Sequence, residues 1–423
     1  MYLKSLYIVY ITKVKGLVVI QQGHIYINGG KRYMSSFDDI INKTKRAWTC
    51  NELMDGHKRK IGQKLPFSSP LLNYSTYGGI PRNVITEFCG NPGGGKSTTA
   101  VDICKNSIEI FQAEYEEQLA HLQEKAQSGD KQAKAEVADL QELGPKKVLY
   151  VDLEHTFDAA WSKTLGIDND VINIMQPPNV PGEEVLQTVE DLIQTGEIGL
   201  VVIDSVPSLV TKQELEKKYG ERTVASQAGL LTVFCRKIVP ILTRHQCTLL
   251  LINQIRDNMD NPYVIQTPGG KALKFYCSLR MLFKIGSPVD FLGNELPASA
   301  ENPAGSIITA KILKQKSAPW DRRNGSYYLM YNSGIRVDMD YAQLAIKKYG
   351  FIRKGGAWYT LCDPYTNEEL KDQDGAVVKV QGLAKVYDYL QTNREYFEKV
   401  KKYITANING EALEESSEEN AYE

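Results

Sequence analysis

Eight residues, Gly90-Asn91-Pro92-Gly93-Gly94-Gly95-Lys96-Ser97, constrain the fold of this chain more than any other stretch. They fit the pattern G-x-x-x-x-G-K-[ST], in which glycines free successive backbone N–H groups to turn inward around phosphate oxygens. Lys96 is then the cation for the β- and γ-phosphates, and the Ser97 hydroxyl is a ligand for Mg²⁺. Such a loop works between a buried strand and a helix N-terminus, whose partial positive charge favours the anion. Both flanks are present. Val84-Ile85-Thr86-Glu87-Phe88-Cys89 reads as a buried strand, and Ser97-Thr98-Thr99-Ala100-Val101-Asp102-Ile103 as the first turns of a helix. The cofactors implied are a nucleoside triphosphate and Mg²⁺, held by Gly90, Asn91, Pro92, Gly93, Gly94, Gly95, Lys96, Ser97 and Thr98.

The chain has 423 residues, enough for one large core with smaller appendages. Its net charge of −1 gives no global basic field, so any nucleic-acid site must be a local patch. Seven cysteines are scattered without a C-x-x-C pair, which argues for a reducing compartment and against a disulfide or zinc framework. The first 27 residues are apolar and β-branched, but Lys13 and Lys15 interrupt them, and a membrane span needs about 20 apolar residues. A signal peptide fits the composition without an obvious cleavage site. The blander reading makes Met34 the native start and residues 1–33 an added strand or an over-extended start.

Residues 34–60 read as a basic helix, and 34–75 as a helical oligomerisation arm and linker. Apolar runs then recur at Val148-Leu149-Tyr150-Val151, Leu200-Val201-Val202-Ile203, Leu249-Leu250-Leu251-Ile252, Met281-Leu282-Phe283 and Ile307-Ile308-Thr309-Ala310. Two-sided apolar strands separated by helical stretches imply an α/β fold with a mainly parallel central sheet covered by helices. This unit spans 76–338. One polar segment, 113–143, reads as a helical hairpin turning at Ser128-Gly129-Asp130, inserted between the phosphate-loop helix and the next strand; a solvated structural insert is its simplest reading. Residues 339–405 form a small mixed α/β unit, and 406–423 an acidic tail.

Three strands end in residues suited to nucleotide chemistry. Asp204 ends Val201-Val202-Ile203, where a second Mg²⁺ ligand is expected; a loop-capping aspartate is the alternative. Glu154 follows Leu149-Tyr150-Val151-Asp152-Leu153 at the same sheet edge and can polarise a water for attack on the γ-phosphate; an ordinary surface glutamate would look the same. Asn253-Gln254 ends a third strand. An uncharged Gln there can sense a γ-phosphate and pass that to the next loop, or serve as a structural amide.

Asp152-Leu153-Glu154-His155, Asp204-Ser205-Val206, Asn253-Gln254-Ile255-Arg256, Gly269-Gly270-Lys271-Ala272-Leu273-Lys274-Phe275-Tyr276, Lys311-Ile312-Leu313-Lys314-Gln315-Lys316-Ser317-Ala318-Pro319 and Gly356-Ala357-Trp358-Tyr359 together resemble the bacterial RecA recombinase, in the same order over roughly residues 75–360. The resemblance implies a RecA-like ATPase core and assigns roles by position. Glu154 resembles the glutamate that activates water, and Gln254 the γ-phosphate sensor. Asp158 and Trp161 lie where the family holds adenine, with Trp161 in place of the usual Tyr. Lys314 and Lys316 resemble a lysine pair reaching into the neighbouring subunit's ATP site, which with Lys96 completes the catalytic set. Lys274 and Phe275 resemble subunit-interface residues.

Two segments resemble the family's DNA-binding loops. The first runs from Lys217 through Arg222 to the helix with Arg236. The second runs from Arg256 past Tyr263 to Gly269, Gly270 and Lys271. The second is about two residues shorter than the family pattern and carries Asp257 and Asp260, which weaken attraction for DNA. These departures suggest a divergent, phage-encoded or bacterial member acting in the bacterial cytoplasm or nucleoid, or in the infected host's cytoplasm. The implied function is ATP-dependent strand exchange by helical homo-filaments on single-stranded DNA, pairing it with double-stranded DNA. Single-strand-binding and loader proteins are candidate partners; a membrane is not. A ring helicase or DNA motor on the same core, and a non-enzymatic DNA-coating paralogue, are the alternatives.

Overall fold

The computed structural model describes residues 64–218, 226–256 and 265–408, and the backbone of four short strands before residue 34. The chain divides into two units, 1–62 and 63–423. In the first, β1 (Tyr7–Ile8), β2 (Val18–Gln21), β3 (His24–Ile27) and β4 (Arg32–Tyr33) pair antiparallel in that order. The stretch expected as a basic helix at 34–60, residues 409–423 of the acidic tail, and the DNA-loop residues Arg222 and Tyr263 lie outside the described residues.

In the second unit, β5 (Lys64–Leu65) pairs with β6 (Ile80–Pro81) around helix α1 (Pro70–Thr76), which Ser69 caps. A nine-stranded sheet follows. Its strands are β7 (Ile85–Gly90), β8 (Lys147–Asp152), β9 (Ile172–Met175), β10 (Ile198–Asp204), β11 (Thr248–Gln254), β12 (Leu279–Val289), β13 (Gly305–Gln315), β14 (Asn324–Met330) and β15 (Gly334–Ile335). The spatial order is β15-β14-β13-β12-β7-β11-β10-β8-β9. From β12 to β9 every pairing is parallel, and β13, β14 and β15 add an antiparallel edge. The expected α/β architecture with a mainly parallel central sheet is what the chain adopts.

Alternation along the strands divides the core. Phe88, Tyr150, Val202 and Leu250 face one layer, where they pack with Ile103 and Phe111 of helix α2 (Lys96–Gln127). Ile85, Val201 and Leu249 face the other. They meet Val185, Val189 and Ile193 of α5 (Gly182–Gln194), and, beyond the short α6 (Lys212–Leu215), Phe234, Ile238 and Leu242 of α7 (Ser226–His245). All seven residues of β10 are buried, as a strand covered on both faces requires. Each buried Val, Leu or Ile stabilises the fold by roughly 1.5–3 kcal/mol. A third cluster joins α9 (Val337–Leu344), the small sheet β16 (Ile352–Gly355), β17 (Trp358–Leu361) and β18 (Lys379–Gln381), and α10 (Leu383–Thr392) and α11 (Arg394–Ile408).

The hairpin differs in one respect from the sequence expectation. Its first arm is the phosphate-loop helix itself, because nothing between 96 and 127 is Gly or Pro and α2 runs unbroken to Gln127. The turn falls at Ser128-Gly129-Asp130, with Gly129 at φ +98°, and the Asp130 carboxylate caps α3 (Lys131–Leu143).

Candidate nucleotide site and its DNA-facing edge

Parallel pairing puts the carboxyl ends of β7, β11, β10 and β8 on one edge of the sheet, so Gly90, Gln254, Asp204 and Glu154 arrive side by side although 164 positions separate the first from Gln254. The loop after β7 needs its glycines. A Cβ on Gly90 would lie 2.3 Å from the Phe283 carbonyl oxygen, and one on Gly95 would lie 3.0 Å from the Tyr327 hydroxyl, with φ at +84°. Side chains at these two positions would collide with β12 and β14 beneath the loop, so only glycine lets the backbone lie this close to the sheet. Lys96 opens α2, is 8% exposed, and donates from Nζ to the Asn91 carbonyl at 2.8 Å. Burial lowers its pKa, while the charges of Asp204 and Glu154 pull the other way. A partly desolvated cation over a glycine cradle fits a triphosphate.

Asp204 is 6% exposed and accepts from the Tyr150 hydroxyl at 2.7 Å and from Ser97. Burial raises its pKa, and those two hydrogen bonds oppose the rise. The Ser97–Asp204 contact joins a hydroxyl and a carboxylate, an oxygen pair of the kind that holds Mg²⁺. Glu154 is exposed and accepts at one oxygen from the Ser205 hydroxyl and, at 3.2 Å, from Gln254 Nε2. The strand-end carboxylate and the strand-end amide are thus in direct contact.

On the far side of the loop, Asp158 caps α4 (Ala159–Thr164) through the N–H groups of Ala160 and Trp161, both at 2.9 Å. Trp161 Nε1 donates to Thr98 Oγ1 at 3.3 Å, which brings the indole against the start of α2. Capping occupies one carboxylate oxygen of Asp158 and leaves the other available.

Lys314 and Lys316 stand elsewhere. Lys314 pairs in register with Arg280 near the start of β12, whereas Gly90 pairs with Phe283 three residues further along. At about 3.3 Å per residue the lysine lies some 10 Å back along the strands from the loop of its own chain. Lys314 Nζ donates to the carbonyls of Lys274 (2.6 Å) and Phe275 (2.9 Å), and Lys316 Nζ to Phe275 (3.2 Å), at the end of α8 (Ala272–Tyr276). Burial and the neighbouring Lys316 charge lower the Lys314 pKa. Phe275 is 69% exposed, so the four residues form one surface patch.

Of the residues expected to face DNA, Arg236, Arg256 and Lys271 are exposed. Arg256 and Gln266 form a β-bridge, with an N–H to carbonyl bond of 2.9 Å. Gly269, at φ +91°, packs on α7, and a Cβ there would lie 2.5 Å from Leu231 Cδ1. The end of the second loop is therefore seated against the helix carrying Arg236. Tyr150 and Ser205, which grip Asp204 and Glu154, were not singled out from sequence. The signal available was a tyrosine inside an apolar strand and a serine directly after Asp204.

The chain is similar to known proteins. A family model described as the RecA N-terminal domain matches residues 125–336. Protein RecA of Chlorobium chlorochromatii is 29% identical over 366 residues, covering 86% of this chain and 89% of the relative, a span that cannot miss residues 90–97. Protein RecA of Thermus aquaticus is 30% identical over 81% of this chain and 84% of its own. That of Chlorobaculum tepidum is 32% identical over 70% and 74%. Among the described residues, no helix is long and apolar enough to cross a membrane. A phosphate-loop strand and helix of this geometry, with relatives aligned over most of both chains, place this protein in the RecA family, which supports a role in DNA recombination and repair.

Proposed function

We propose that this protein is an ATP-dependent recombinase that assembles as a helical filament on single-stranded DNA and exchanges strands with a homologous duplex. The observation that carries the proposal is the Gln254–Glu154 contact at the edge of the phosphate-loop sheet. It joins the residue suited to activating water with the residue whose strand runs directly into the second DNA-facing loop.

The residues divide the work. The cradle from Gly90 to Gly95 presents N–H groups to the phosphates, and Lys96 adds charge at the β- and γ-positions. Ser97 and Asp204 would hold Mg²⁺, which when bound neutralises charge on the phosphate oxygens. Trp161 offers an aromatic face for adenine beside Thr98, and Asp158 its free carboxylate oxygen. Glu154 accepts a proton from the attacking water. Lys314, half-buried, and Lys316, exposed, both set back from their own loop and hydrogen-bonded to Phe275, are assigned to the ATP site of the next subunit. There they would offset charge developing in the transition state. A heterologous interface whose rotation does not close builds filaments. Arg236, Arg256 and Lys271 would contact phosphates, with Arg222 and Tyr263 completing the DNA surface. Residues 34–75 are assigned to the packing arm, 339–405 to a DNA-associated unit and 406–423 to an acidic tail. Measuring phosphate release with and without single-stranded DNA tests the reading. Strong stimulation is expected, and indifference to DNA contradicts it.

A further inference from the structure

Inside the sheet, beneath the phosphate loop, lies a buried polar unit that the hydrolysis scheme does not use. Glu87 sits in the middle of β7 at 0% exposure, Asn253 on β11 at 0%, and Arg280 on β12 at 7%. Arg280 stands opposite Glu87 in register and donates from Nε to Glu87 Oε2. Asn253 Nδ2 donates to Glu87 Oε1 at 2.9 Å and to the Pro268 carbonyl at 3.1 Å. The Asn253 side-chain oxygen accepts from the Gln254 N–H at 3.0 Å. Arg280 Nη2 also reaches Thr267 Oγ1 at 3.5 Å. Both oxygens of Glu87 and both polar atoms of Asn253 are thus occupied.

Stability does not account for this arrangement. Removing two charges from water costs about as much as their attraction returns, and apolar side chains of similar volume often serve a core as well or better. Apolar side chains cannot, however, hold two distant backbone points at once. The Asn253 amide does so. One point is the N–H of Gln254, whose side chain touches Glu154. The other is the carbonyl of Pro268, next to the Gly269 that packs on α7. Glu87 and Arg280 fix that amide from the β7 side and grip Thr267 from the β12 side.

We infer that Glu87, Arg280 and Asn253 are positioning residues that hold the exit of the second DNA-facing loop in register with the Gln254–Glu154 contact, so that DNA at the loop and hydrolysis at the sheet edge are coupled through them. The inference rests on the recombinase reading and deepens it by naming the buried residues through which DNA would raise turnover. Among the described residues, the hydrogen bonds of the three run to one another, to Gln254, Thr267 and Pro268, and not to side chains of the phosphate loop.

The test uses the full chain with Glu87→Leu and Arg280→Met together, chosen to keep volume and remove both charges. Thermal stability, ATP turnover without DNA, and turnover with saturating single-stranded DNA are measured. A folded protein is expected, with DNA-independent turnover preserved and the DNA-stimulated increment reduced about tenfold, a typical size for coupling between sites. Asn253→Ala, which deletes the bridging amide, should lose the increment in the same way. Full stimulation in a folded double variant overturns the inference. If the double variant does not fold, Asn253→Ala and Thr267→Val carry the test, and full stimulation in both overturns it equally. A wild-type protein that DNA does not stimulate sinks the recombinase reading and this unit with it. A stimulated wild type with equally stimulated variants sinks the unit alone.

Discussion

Replacing Glu154 by Gln isolates the proton-accepting role from everything else the side chain does. In the structure Glu154 accepts from Ser205 and from Gln254 at a single oxygen. A glutamine retains an oxygen that can accept from both, so the sheet edge should keep its shape. Lys96 keeps its bond to the Asn91 carbonyl and Asp204 the bond it accepts from Tyr150, so the phosphate loop should also keep its shape. What disappears is the carboxylate. General-base assistance contributes about 10²–10⁴ in rate, or roughly 3–5 kcal/mol of barrier at 1.36 kcal/mol per tenfold. Phosphate release with saturating single-stranded DNA should fall by that factor, while the affinity for a non-hydrolysable ATP analogue changes little. The variant should consequently trap the ATP-bound assembly. Turnover close to wild type would remove Glu154 from its assigned role. A parallel collapse of nucleotide binding would show that the residue holds the site together instead.

Two further outcomes follow from the same structure. Replacing Lys314 and Lys316 by Ala should lower DNA-stimulated turnover by about 10³-fold, the scale of a charge supplied in trans, while leaving ATP binding by the isolated subunit nearly intact. Mixing that variant with a Lys96→Ala protein should restore part of the activity, and failure of every mixing ratio would place the lysines outside a shared site. Asp102, fully buried on α2, accepts from the Ser68 N–H at 2.8 Å, and burial pushes its pKa up from 3.8 to about 6. Its proton is held more tightly folded than unfolded, so its stabilising contribution is present below pH 3.8 and is lost as pH rises through 6. Asp102→Asn should therefore exceed wild type in unfolding free energy by up to about 3 kcal/mol at pH 8, with the gap closing towards pH 4. A gap independent of pH would refute the assignment.

What the sequence made legible was local. The run from Gly90 to Ser97, its flanking strand and helix, and the polar residues at the ends of apolar strands can each be read from a dozen neighbouring positions. Parallel topology then did the assembling, since strands that all run one way must display their carboxyl ends together. The partners across strands were not legible. Tyr150 on Asp204 spans 54 positions, Gln254 on Glu154 spans 100, and Arg280 on Glu87 spans 193. Nothing in the local pattern around Glu87 says that its neighbour on β12 will be a cation. Strands towards the two sides of the sheet were also hard to see. Ile172–Met175 is only four residues long, and Asn324–Met330 begins with a glycine and a serine in its first three positions, so neither stands out as an apolar run. The hairpin's first arm, by contrast, could have been extended back to Lys96 by noting that no helix breaker intervenes.

On the proposed reading, the chain owns only part of its ATP site and completes it by polymerising on DNA. Electron microscopy of the protein with single-stranded DNA and a non-hydrolysable ATP analogue separates this from the alternatives. Continuous helical filaments are expected, and they should be lost when the nucleotide is omitted. Closed rings, or DNA bound by isolated subunits with full nucleotide occupancy, would contradict it.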